Sequence, residues 1–137
     1  MPRLATAALG LLLVGCVPGT DPAAEPPGPA LVIDVRNASD RQLDIGFDFT
    51  TEVWNGSGAT LVEPCQRNPI TVGKVGGGTY AVHVEGKTVV DAAVPASAPE
   101  DATLVVGLLI GPDGTVDVLP SRLVEVPELD ITPIPCG

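Results

Sequence analysis

Aromatic side chains are nearly missing from this sequence of 137 residues, which has one Trp, one Tyr and two Phe. So few rings cannot line a groove, which excludes carbohydrate-stacking surfaces and the base-stacking platforms of single-stranded nucleic-acid binders. Histidine occurs once, at His83, and the only Met is Met1. That is too few imidazole and thioether donors for a copper or zinc centre, and no activatable nucleophile can be placed beside His83 for general-base work. Gly-x-Ser-x-Gly is also missing, so no nucleophile elbow is expected and the chain reads as non-enzymatic, with no cofactor. Basic residues are scarce, at seven against 17 acidic ones, and the net charge of −10 repels nucleic acid and anionic lipid head groups. Gly76-Gly77-Gly78 is no phosphate loop, because no Lys-Ser or Lys-Thr follows and strand character comes next.

What is present begins at the N-terminus. Arg3 precedes an uncharged, mostly apolar run from Leu4 to Val14, the layout of a secretory signal and too short to cross a bilayer, which needs roughly 20 apolar residues. The run ends Leu13-Val14-Gly15-Cys16, and this resembles the lipobox of bacterial lipoproteins. The resemblance covers residues 1–16 alone. It implies that 1–15 is a signal peptide and that Cys16 is the lipidation site and first residue of the mature chain, anchored in a lipid bilayer outside the cytoplasm. Val17 is not the Asp associated with inner-membrane retention, so the resemblance implies the outer membrane in an organism with two. Residues 16–29, with Pro18, Pro22, Pro26, Pro27 and Pro29, read as a tether reaching roughly 40 Å in polyproline II. One domain, 30–137, follows. Without Arg3 the mature chain from Cys16 is one unit more acidic than the whole sequence, which suits a tethered domain kept soluble and, by expectation, monomeric.

Two cysteines remain, Cys65 and Cys136, and an exported location permits a disulfide between them. It would close a loop of about 70 residues and stabilise by roughly 4 kcal/mol in the chain-entropy model.

From Ala30 onward apolar residues alternate. Leu31, Ile33 and Val35 share one face of a strand, and Leu43, Ile45, Phe47 and Phe49 share one face of the next. The two are expected to form a hairpin with Ile33 opposite Ile45 and Val35 opposite Leu43. That register sets Asp34 against Asp44 on the outer face, roughly 5 Å apart. Either Arg36 neutralises the pair or a Ca²⁺ binds there with help from Asp48, which makes Asp34, Asp44 and Asp48 candidate metal ligands.

Trp54 reads as a core-edge anchor, Asn55-Gly56 as a turn and Ala59 to Glu63 as a strand. Asn37-Ala38-Ser39 and Asn55-Gly56-Ser57 match the glycosylation sequon but carry no weight in a bacterial reading. Ile70 to Gly73 makes a short strand. Tyr80, Val82 and Val84 then alternate and turn back near Gly86-Lys87, with Val84 expected opposite Val90 and His83 opposite Asp91. Leu104 to Ile110 is apolar on both faces and reads as a central, doubly covered strand. Gly111-Pro112-Asp113-Gly114 is the best hairpin signal, and the prolines at 120, 127, 133 and 135 confine the last stretch to an edge strand or a surface wrap.

Short strands with frequent turns and no helical periodicity predict an all-β antiparallel Greek-key sandwich, immunoglobulin-like in layout, with a small eight-stranded barrel as the alternative. The expected function is a non-catalytic lipoprotein module that binds or positions an envelope protein or other envelope component. The alternative is a cation or small-ligand binder using the acidic strand face.

Overall fold

The computed structural model describes residues 29–51, 55–95 and 98–136. Cys16, residues 1–15, the tether as far as residue 28 and Trp54 lie outside them. The described residues contain no helix. The strands are β1 (Ala30–Asn37), β2 (Leu43–Thr50), β3 (Asn55–Val62), β4 (Gln66–Lys74), β5 (Thr79–Val84), β6 (Lys87–Ala93), β7 (Thr103–Ile110), β8 (Val116–Val118), β9 (Arg122–Val124) and β10 (Thr132–Pro133).

They form two sheets packed as a sandwich. One runs β10-β4-β1-β7-β8, with β9 beside β8 on the same flank of β7; the other runs β3-β2-β5-β6. The two stay separate and do not close into the alternative barrel. Connections cross between the sheets at β1–β2, β3–β4, β4–β5 and β6–β7, the interleaving found in Greek-key sandwiches. Pairing is antiparallel except between β1 and β7, which run parallel in register from Ala30↔Thr103 to Asn37↔Ile110.

Every alternating set points into one core. Leu31, Ile33 and Val35 from β1 meet Leu43, Ile45 and Phe49 from β2, Val82 and Val84 from β5, and Leu104, Val106, Leu108 and Ile110 from β7. The expected β1–β2 hairpin is not formed: β1 pairs with β4 and β7, while β2 pairs with β3 and β5. Alternation decides which face of a strand is buried, and two such faces are equally well buried side by side or opposed across a core. Here they are opposed. Asn37, fully buried, turns the chain over: its Nδ2 donates to the carbonyls of Arg41 (2.8 Å), Val62 and Glu63 (3.2 Å each). Its Oδ1 accepts from the amide (3.0 Å) and hydroxyl (2.6 Å) of Ser39. The first sequon is therefore a buried crossover clamp.

β3 begins at Asn55, so Asn55-Gly56 lies in a strand and not in a turn. Gly56 stands opposite Phe49, and Gly58 opposite Phe47. A Cβ on either glycine would come within 2.9 Å and 2.7 Å of those rings, so the phenyls lie over the bare backbone of this edge strand.

The β5–β6 turn is Glu85-Gly86, both at positive φ (51° and 79°), a two-residue type I′ turn in place of the Gly86-Lys87 turn. A register shift after Val82 then pairs Val82 with Val90 and Tyr80 with Ala92, two residues from the expected pairing. The bulge lets a tight turn coexist with a common apolar face.

Three expectations hold. β7 is buried along almost its whole length. Its hairpin to β8 closes through Gly111 and Gly114 (φ 86°), with the Thr115 amide donating to Asp113 Oδ1 at 3.0 Å. The proline-rich end, 119–135, wraps the outer face of the larger sheet. It is tied down by β9 on β7, by β10 on β4 and by the Cys65–Cys136 disulfide, with a Cα–Cα distance of 5.3 Å. This strap buries Val32 and Val105, which explains why β7 is apolar on both faces.

Candidate functional site

Three places on the described surface bear on the residues singled out in the sequence. The first is where the acidic cluster was expected. Asp34 alternates with the core residues of β1 and so stands on the outer face of the larger sheet, whereas Asp44 and Asp48 stand on the outer face of the smaller one. The three carboxylates do not converge, and no group of three or more potential ligands is found among the described residues. Arg67, a diagonal neighbour on β4, holds Asp34 in a two-pronged pair, Nε to Oδ1 at 2.9 Å and Nη2 to Oδ2 at 3.1 Å. Arg36, expected as the neutralising cation, is exposed and opposite Arg67. The Ca²⁺ site therefore falls with the hairpin that defined it.

The second place is the space between the strap and the larger sheet, a cavity of about 210 Å³. Its floor is Val32 and Val105, and its walls are Arg67, Arg122, Val124 and Val126. Arg67 Nη1 also donates to Glu128 Oε1 at 2.9 Å, joining strap to sheet. Hydrogen bonds to Asp34 and then Glu128 push the Arg67 pKa further above its already high value, so this side chain is a permanent cation. Glu128 is 79% exposed, and its half of the network is worth correspondingly little. The Asp34–Arg67 half is nearly buried and joins β1 to β4 within the larger sheet, beneath the strap. Further along, Val126, Leu129 and Ile131 project outward at 86%, 50% and 57% exposure.

The third place surrounds the sole histidine. His83 Nε2 lies 2.8 Å from Asp48 Oδ2, and Nδ1 lies 2.9 Å from Thr88 Oγ1. The carboxylate beside His83 is thus Asp48 on β2 and not Asp91, which pairs with Ala81. Hydroxyl, imidazole and carboxylate follow the order of an acyl-transfer relay. They stand, however, on an open sheet face, with Asp48 52% exposed, and such relays work where water is excluded. The arrangement ties β2, β5 and β6 together across the surface. The sequence concealed it because the bulge after Val82 moves Thr88 into the position opposite His83.

No family model matches the chain, and no curated protein or solved structure does either, so its function is argued from its own residues.

Proposed function

We propose that this protein is a lipid-anchored bacterial lipoprotein whose sandwich domain is a monomeric, non-catalytic binding or positioning module of the cell envelope. The observation that carries this reading is Leu13-Val14-Gly15-Cys16 directly behind Arg3 and an uncharged run too short to span a bilayer. The Cys65–Cys136 disulfide supports it, since such bridges persist in oxidising compartments outside the cytoplasm. The outward apolar residues of the strap, interleaved with Glu125, Glu128 and Asp130, support contact with another envelope component.

Growth of expressing bacteria with labelled palmitate tests the anchor. Label should enter the wild-type protein, while Cys16→Ser should take up none and leave the membrane fraction. Unlabelled wild type, or a serine variant that stays equally membrane-bound, overturns the proposal.

A further inference from the structure

At the end of the sandwich where β1 and β7 finish and β2 begins, the two sheets part enough to leave a slot of about 200 Å³. It lies at the opposite end of β7 from Pro29, some 25 Å away at the rise of an eight-residue strand. Its floor is core: Leu43 is 2%, Val84 7% and Ile110 1% exposed. Val89 on β6 and Val116 on β8 form the walls, each only half-buried, so the slot opens where the edges of the two sheets face one another. An enclosed apolar cavity of about 150 Å³ takes up benzene, so a slot of about 200 Å³ that counts its charged mouth has room for about eight carbons with the polar end included.

The mouth differs in kind. Arg41 and Lys87 stand on it, and among the described residues neither is in an ion pair; those pairs involve Arg67 and His83 only. Glu85, the acid on the rim, is turned toward β2, where its Oε2 accepts the Asp44 amide at 2.6 Å. In a chain with seven basic residues and a net charge of −10, two uncommitted cations flank the mouth of an apolar slot. That combination fits a molecule with an apolar body and a single anionic end.

We propose that this slot binds a small free aliphatic carboxylate of about eight carbons, its chain on Leu43, Val84 and Ile110 and its carboxylate between Arg41 and Lys87. The site is built by crossover geometry: Arg41 is held by backbone bonds around Asn37 and Ser39, and Lys87 by the tight Glu85-Gly86 turn. Neither depends on the anchor.

The test is a titration of the full chain with octanoate, followed by the methyl NMR signals of Leu43, Val84, Val89, Ile110 and Val116. These should shift saturably below about 5 mM, the weak end of small-ligand affinity, while octanol and acetate each bind about tenfold more weakly. Arg41→Gln with Lys87→Gln, both at exposed positions, should weaken octanoate by about tenfold and leave octanol unchanged. Val116→Phe, at the half-buried wall, should abolish binding of both. The proposal is overturned if those methyls do not move, if shifts map elsewhere, or if the charge variant binds octanoate as wild type does.

Discussion

Asn37 ties two of the four crossovers together through one side chain. It is uncharged, fully buried, and its amide serves three carbonyls and two donors, so the β1–β2 and β3–β4 connections both pass through it. Asn37→Ala removes the partner of all five groups, and those of Val62 and Ser39 lie in buried bonds, at a cost of about 1–3 kcal/mol for an orphaned buried polar group and more when several are affected. Urea unfolding should show a loss of about 3 kcal/mol or more, against about 1 kcal/mol for Ser39→Ala. A loss near 1 kcal/mol for Asn37→Ala would mean the clamp is dispensable. Tyr80 offers a pH-dependent counterpart. Burial raises its pKa above the ordinary 10.0, so the folded state keeps the phenol proton that the unfolded chain gives up. Stability is then intact below pH 10.0 and falls as pH rises past it. Melting curves should show that alkaline loss reduced in Tyr80→Phe.

At the scale of elements, the β4–β5 connection is packed closely against the end of β2. Gly78 follows the β4–β5 turn, its amide donating to the Val75 carbonyl and its carbonyl accepting from Val94. A Cβ there would stand 1.9 Å from the Thr50 carbonyl oxygen, which is backbone and cannot swing aside. Gly78→Ala must therefore move the end of β2 or the start of β5, and a loss of about 3 kcal/mol or more is expected on thermal unfolding. Gly77→Ala tests the alternative cause, since its added Cβ meets no atom within 4 Å and only its φ of 74° resists the change. That variant should lose only about 1–2 kcal/mol. The strand pattern itself was legible. The doubly buried β7, the Pro112-Asp113-Gly114 hairpin and the wrapped C-terminus follow directly from apolar runs, turn chemistry and proline spacing. β3 was misread at its start because Gly56 and Gly58 look like turn residues until the rings of Phe49 and Phe47 are seen above them.

For the whole molecule, the strap is the part held least by its own burial and most by cross-links. Removing the disulfide with Cys65→Ser and Cys136→Ser should lower stability by roughly 4 kcal/mol, the chain-entropy value for its separation of 71 residues. Hydrogen exchange should accelerate first at β10 and along 125–135, before β2 and β5, because the smaller sheet makes no covalent contact with the strap. Equal acceleration everywhere would mean the strap is integral to the core. The amino-acid sequence alone determined the class of fold, the inward faces of β1, β2 and β5 and the pairing of the two later cysteines, because each is a local or counting property of the chain. Only the tertiary structure decided which strands are neighbours, since alternation is satisfied equally by pairing and by stacking. That decision parted Asp34 from Asp44 and Asp48, gave Asp34 to Arg67 and His83 to Asp48, and left Arg41 and Lys87 together at the mouth of an apolar slot. Charges meet where strands are placed, and strand placement is settled by the packing of the entire core.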